Sequence, residues 1–232
     1  MLEIRGLATY YYSDNETVKA LDGASLSLGK GQMVGLSGAS GCGKSTLGLS
    51  LMQLIEPPGK IVKGSIKLDG RQLLGLPKEE IRQLRGKSIS MVFQDPFTTL
   101  NPVLTIGDQL SECLRHHFSM GRKEAKERAV EALAKVKIND PAKRYASYAH
   151  ELSGGMRQRV MIAMAVLCGA RYLIADEITS ALDVISQRHI MLLLEELRTK
   201  EGLSVLLISH NRPLLARHCS RIYEMKDGKC LN

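Results

Sequence analysis

Residues 38–45 read GASGCGKS and are followed by Thr46. This matches the pattern G-x-x-x-x-G-K-[ST], and its surroundings restrict the fold that can hold it. The apolar run MVGLS stands directly before it, and a helical pattern over Lys44–Gln53 follows. Strand, tight turn and helix in that order aim backbone N–H groups and the positive end of a helix dipole at one point, which is how a chain cradles phosphate. Gly38, Gly41 and Gly43 allow the backbone to wrap closely, and Ala39, Ser40 and Cys42 complete the loop. Lys44 is the expected contact for the β- and γ-phosphates, and the Ser45 hydroxyl, with Thr46 beside it, the expected ligand of Mg²⁺. A nucleoside triphosphate is the ligand this turn predicts.

Three further runs, ISMVF, YLIADE and SVLLIS, are short and continuously apolar, as parallel strands buried on both faces are. Helical patterns follow two of them, over Val184–Lys200 and Arg212–Cys219. Strand-helix alternation predicts an α/β core with a parallel sheet. The segments LEIRGL, KALDGASLSLG and GSIKLDG alternate and carry turn glycines, predicting antiparallel strands near the start. Between ISMVF and YLIADE, about residues 100 to 168, there is no strand signal, and two amphipathic helices are expected in an inserted helical subdomain. One domain over 1–232 is expected, with its core at about 1–99 and 169–232.

YLIADE places Asp176 at the end of a buried strand, at the sheet edge where open α/β sheets bind ligands. Asp176 is therefore expected to hold Mg²⁺, and Glu177 to accept a proton from an attacking water. Gln94, after ISMVF, could reach the metal or the water, and His210, after SVLLIS, could touch the γ-phosphate. TYYYS offers an aromatic face for an adenine ring. In a regular strand Tyr11 faces opposite to Tyr10 and Tyr12, so only one face can meet the base. ELSGGMRQR, at 151–159, puts a Gly-Gly pair at the mouth of a helical stretch, although glycine costs a helix about 1 kcal/mol relative to alanine. The pair is either a plain loop or a second phosphate-binding turn.

Bulk properties narrow the partners. The net charge of +8 leaves nucleic acid, an anionic membrane surface, an anionic ligand or a merely solvated basic surface open. Only 4% of residues are aromatic and none is Trp, a poor supply of stacking platforms for single-stranded nucleic acid. Val160–Ala170 is too short to cross a bilayer, which takes about 20 residues. The N-terminus lacks the pattern of a signal peptide. Five scattered cysteines without CxxC spacing suggest neither zinc nor a disulfide framework, and fit a reducing cytosol.

Together these segments resemble the ATP-binding subunits of ABC transporters over nearly the whole chain. GASGCGKST corresponds to Walker A, Gln94 to the Q-loop, LSGGM at 152–156 to the signature, YLIADE to Walker B, SALD at 180–183 to the D-loop and His210 to the H-loop, in the family's order. FQDPFTTLNP and HELSGGMRQRVMIAMAVLC look most like the subunits that energise import of oligopeptides, dipeptides or nickel. The resemblance implies ATP and Mg²⁺ as cofactors, ATP hydrolysis as the reaction, and Tyr11 as the adenine-stacking residue. It implies that Ser153, Gly154 and Gly155 of the signature, with Asp183 of the D-loop, close over ATP held by a facing subunit. The implied partners are that second ATP-binding subunit, two transmembrane permease subunits and, indirectly, an extracytoplasmic solute-binding protein, at the cytoplasmic face of the membrane, with no nucleic acid. The segment after Gln94 and the inserted helices are expected to receive a permease's cytoplasmic helix. The rival is a soluble ABC ATPase acting on nucleic acid, ribosomes or cluster assembly; the plain FQDPFTTLNP linkage argues against it. Two residues depart from the pattern: Ile178 stands where the family usually has Pro, and Asn211 where it often has Asp. Both could loosen the geometry near the γ-phosphate without removing the chemistry. The family's peptide subunits usually continue beyond the point corresponding to KDGKCLN.

Overall fold

The runs read as strands divide their side chains between two cores. In the computed structural model, which describes residues 1–13, 16–95 and 99–231, six strands form one sheet in the order β10-β9-β3-β8-β7-β6. These are β3 (Met33–Gly38), β6 (Ile89–Val92), β7 (Tyr172–Asp176), β8 (Ser204–Ile208), β9 (Arg221–Lys226) and β10 (Lys229–Leu231). β9, β3, β8, β7 and β6 are parallel, and β10 returns antiparallel to β9. Alternation within the strands separates Ile174, Leu206 and Ile208, which enter one core, from Leu173, Ala175, Val205 and Leu207, which enter the other. A strand buried on both faces has no polar position to interrupt it, which explains the continuous apolar runs.

The first core lies under a four-stranded antiparallel sheet of order β2-β1-β4-β5. Its members are β1 (Leu2–Tyr12), β2 (Thr17–Leu28), β4 (Gly59–Leu68) and β5 (Arg71–Gln72). Leu2, Ile4 and Leu7 of β1, Leu26 and Leu28 of β2 and Ile66 of β4 meet Leu47 and Leu51 of helix α1 (Lys44–Leu51) there. Helix α2 (Lys78–Leu84) adds Ile81. β1 carries register shifts along both its pairings, which bend the sheet over the core.

The second core lies on the other face of the parallel sheet. It takes in α3 (Ile106–His117), α4 (Arg122–Lys135), α6 (Gly154–Val166), α7 (Val184–Glu201) and α8 (Arg212–His218); α5 (Pro141–Tyr145) is a short helix before α6. Ala125, Ala129 and Ala132 let α4 approach its neighbours closely, and Leu110 and Leu114 project from α3 into the same cluster. No helix among the described residues is long and apolar enough to cross a membrane.

The start of α3 is fixed by polar groups. Thr105 caps the helix by accepting from Asp108 N at 3.1 Å. Gln109, buried, donates through Nε2 to the carbonyls of Asn101 (3.1 Å) and Leu104 (3.2 Å), and its Oε1 accepts from Asn101 N at 2.9 Å. One side chain thereby satisfies three backbone groups of a turn that no ladder serves. Gln109→Leu keeps much of the volume and orphans Asn101 N and Leu104 O, whereas Asn101 O keeps Leu104 N at 3.4 Å, so it is expected to destabilise the fold by about 1–3 kcal/mol. Urea unfolding checks this: the midpoint should fall with an unchanged slope, and an unchanged midpoint would show that Gln109 does not organise the turn.

Candidate functional site

Because β3, β8, β7 and β6 run parallel, their carboxyl ends open on one edge, and the loops that leave them converge there. The glycine-rich loop leaves β3. At Gly43 the backbone has φ 108°, and a Cβ would lie 2.3 Å from the carbonyl oxygen of Ala20 on β2. At Gly38 a Cβ would lie 2.4 Å from the carbonyl oxygen of Met225 on β9. Any side chain at either position would push the loop off the sheet. Lys44 opens α1 and is buried; its Nζ donates to the carbonyls of Gly38 (3.0 Å) and Ala39 (2.8 Å), which hold the ammonium inside the loop.

Asp176 ends β7 two strands away, with the Ser45 hydroxyl beside it. Its Oδ1 is buried without a hydrogen-bond partner among the described residues. Burial pushes the carboxyl above its ordinary range and the neighbouring Glu177 adds to this, while the Ser45 hydroxyl and the Lys44 charge pull the other way. A buried carboxylate oxygen lacking a donor, next to a hydroxyl, suits a hard cation. Mg²⁺ commonly takes only one or two protein oxygens, with water and phosphate completing its shell. The observed pair fits it.

Glu177 is the next residue, and its backbone is unusual. It has φ 48°, the left-handed region that glutamate seldom occupies, and its N–H continues the ladder to Ile208 O at 3.0 Å. That turn lifts the side chain between two others: Oε2 lies 3.5 Å from Gln94 Nε2 and 3.3 Å from His210 Nδ1. Glu177 is thus aimed at by the loops leaving β6 and β8. Ile178 is 2% exposed and joins the second core, so the residue after Glu177 is anchored by packing. Asn211 caps α8 by accepting from Leu214 N at 3.0 Å, which an Asp would do equally. Neither departure from the family pattern leaves its neighbourhood unsupported.

The aromatic register at the start of the chain is regular where it matters. Tyr10, Tyr11 and Tyr12 face Lys19, Val18 and Thr17 across β2. Tyr10 donates to Asp22 at 2.8 Å and lies beside Lys19, whereas the Tyr11 ring lies against Gly59. The two rings therefore occupy opposite faces. A groove lined by Val18, Lys19, Gly41, Cys42 and Lys226 runs from the phosphate loop along β2.

The Gly-Gly pair lies elsewhere. Ser153 caps α6, accepting from Met156 N at 3.3 Å, and Gly154 and Gly155 are the first two helical residues. No hydrogen bond among the described residues joins Ser153, Gly154 or Gly155 to Lys44, Ser45, Asp176 or Glu177. The glycines instead face the start of α7: a Cβ at Gly155 would lie 3.3 Å from Ser186 Oγ, and one at Gly154 would lie 3.7 Å from Leu182 Cδ2. Asp183 caps α7, accepting from Ser186 N at 2.9 Å; the Ser186 hydroxyl first, and then this backbone N–H, hold its carboxyl below the usual range. Gln187 donates to Thr179 O (2.9 Å) and Leu182 O (3.1 Å), tying the 179–183 loop to α7. Sequence reasoning missed Gln187; one polar residue in the mostly exposed first turns of a helix carries no distinguishing pattern.

Comparison with known proteins places this geometry. The ABC transporter family profile matches residues 21–180. A probable peptide ABC transporter ATP-binding protein of Sinorhizobium fredii is 43% identical over 230 residues, covering 99% of this chain and 69% of that protein. The oligopeptide transport ATP-binding protein AppD of Bacillus subtilis is 44% identical over 230 residues, 99% of this chain and 70% of that one. The ATP-binding cassette MJ0796, solved as a dimer in a post-hydrolysis state bound to ADP and Pi, superposes with a TM-score of 0.88 at 29% identity, covering 100% of this chain and 97% of that one. Likeness of this extent goes beyond a shared fold: the chain belongs to the ABC transporter family as a nucleotide-binding subunit, one of a class of ATPases coupled to transport.

Proposed function

We propose that this chain hydrolyses ATP at a site completed by a facing subunit, and that the reaction energises a membrane importer of peptides. One observation carries the reading: the groups suited to phosphate and water chemistry gather at one sheet edge, while the exposed Ser153 and the signature glycines lie apart from them, at the start of another helix. Within one chain the signature has nothing to act on. Two chains opposed head to tail would each supply what the other lacks.

In this reading residues 38–46 cradle the phosphates, Tyr11 stacks on the adenine, and Lys44 balances charge on the β- and γ-phosphates. Ser45, Gln94 and Asp176 would hold Mg²⁺, which screens the charge of the triphosphate oxygens. Glu177 accepts the proton of the attacking water, and its position between Gln94 and His210 keeps the carboxylate oriented. Ser153, Gly154 and Gly155 approach the partner's γ-phosphate with backbone N–H groups and a hydroxyl, so their stabilisation is available only once the chains close. Asp183, at the cap of α7, sits at the same closing surface.

The chain would act as one cassette, with about 1–99 and 169–232 as core and about 100–168 as the helical unit. An apolar groove lined by Met52, Met91, Cys113, Met161 and Met164 also contains the buried hydroxyl of Ser90, which has no partner among the described residues. It supports the docking of a permease's cytoplasmic helix, which would place the subunit on the cytoplasmic face with two permeases and, beyond them, a solute-binding protein. Residues 96–98, within the FQDPFTTLNP stretch assigned to the same groove, lie outside the described residues. Peptides are preferred to nickel because both relatives named above are peptide proteins. A soluble ABC ATPase acting on nucleic acid, ribosomes or cluster assembly gains no support from them.

Tyr11→Ala should weaken ATP binding by about 1–3 kcal/mol, the contribution of one stacked base, as read by equilibrium titration. A loss on Tyr10→Ala with none on Tyr11→Ala would assign the base to the other face. Glu177→Gln should keep the contacts between chains, remove the base, and accumulate an ATP-bound dimer visible by size-exclusion chromatography. Adding Ser153→Arg should dissolve that dimer while leaving ATP affinity of the single chain nearly intact. A double variant that remains dimeric contradicts the facing-subunit site.

A further inference from the structure

Beside the signature lies a recess whose charge is one-sided. Lys137, Arg144, Arg159 and His189 line it together with Ser153 and Ser186, and no carboxylate among the described residues does. Two of the cations are already engaged. Arg159 Nη1 donates to Lys137 O at 2.7 Å, and Lys137 Nζ pairs with Glu196 at 3.1 Å. Arg144, in α5, differs: its Nε is buried and has no hydrogen-bond partner among the described residues. A buried guanidinium N–H left unpaired is costly, and such a group in a native fold calls for an acceptor. The remaining polar lining consists of cations, hydroxyls and the Asn139 amide, none of which bonds that N–H. Nε is closed to solvent in the single chain, so an acceptor from outside the chain must meet the half-buried guanidinium where it lines the recess, and the surrounding positive charge selects an anionic one.

We infer that Arg144 is a contact for the nucleotide held by the facing subunit, donating to the phosphate oxygens of that nucleoside triphosphate as the two chains close. This rests on the facing-subunit reading given above, because Ser153 and Gly155 line the same recess and bring the partner's phosphates to it. Arginine suits this role because its planar fork can give two parallel hydrogen bonds to a phosphate and keeps its charge at every working pH. Each closed dimer would contain two such contacts, one per nucleotide. Arg144 would then act on closure and not on the first capture of ATP, which belongs to the loop around Lys44.

The test uses the full chain carrying Glu177→Gln, with ATP-dependent association measured by sedimentation velocity at increasing sodium chloride. Arg144→Ala should weaken association about a hundredfold, about tenfold for each of the two arginine–phosphate pairs removed, and make its salt dependence shallower. Arg144→Lys should recover the salt dependence and part of the affinity, which a purely structural role for the side chain would not produce. ATP affinity of the dilute single chain should be unchanged in both variants. If Ser153→Arg dissolves the dimer while Arg144→Ala leaves both its affinity and its salt dependence intact, the Arg144 assignment is overturned and the facing-subunit reading stands. If the Glu177→Gln chain binds ATP without associating, or Ser153→Arg leaves its dimer whole, the facing-subunit reading fails and this inference with it.

Discussion

The parallel pairing of β3, β8 and β7 is the constraint on which the rest of this molecule depends. It places the ends of three buried strands side by side, so a phosphate loop, a carboxyl pair and a histidine meet although they are far apart in sequence. The ladder continues one residue beyond β7, where Glu177 N bonds Ile208 O at 3.0 Å and the backbone turns left-handed. A conformation costly for glutamate is held because the strand before it and Ile178 after it are both buried. Core packing thus sets the direction of the side chain proposed to act as base.

Electrostatics divides the chain into two incomplete halves. At the sheet edge, Asp176 is desolvated enough for burial to resist its ionisation, and a cation with phosphate would relieve that. At the start of α6, cations line the recess and no carboxylate among the described residues lines it, although Glu196 pairs with Lys137 from outside. The first surface suits a metal-bound polyphosphate and the second suits its outer oxygens. In the proposed reading neither half holds both sides of the reaction, and two chains would share the site.

Much of this was legible in the sequence, for identifiable reasons. β3, β6, β7 and β8 were visible because burial on both faces makes continuous apolar runs, and the residues at their ends inherit positions at the binding edge. β9 was not, because Arg221, Glu224 and Lys226 interrupt it and its pairing with β3 is non-local. α2 was missed because Ile81 is its one buried residue. The Gly-Gly pair was legible as a feature needing explanation but not as the opening of α6, since a Ser cap makes glycine tolerable at the first helical positions. Gln187 and Gln109 act through backbone groups, and Arg144 lines a recess assembled by distant segments; no local spacing announces such positions.

The central claim, that each site is built from two chains, is tested most directly by mixing two inactive variants. Lys44→Ala disables the phosphate loop and leaves the signature; Ser153→Arg disables the signature and leaves the loop. Each alone should hydrolyse ATP at no more than background. A mixed dimer would carry one undamaged composite site, so steady-state ATPase activity should reappear on mixing and rise with the fraction of mixed dimers, toward one active site per pair. If loop and signature of the same chain formed the site, mixing would restore nothing, and a flat activity across all mixing ratios of associated chains would contradict the account.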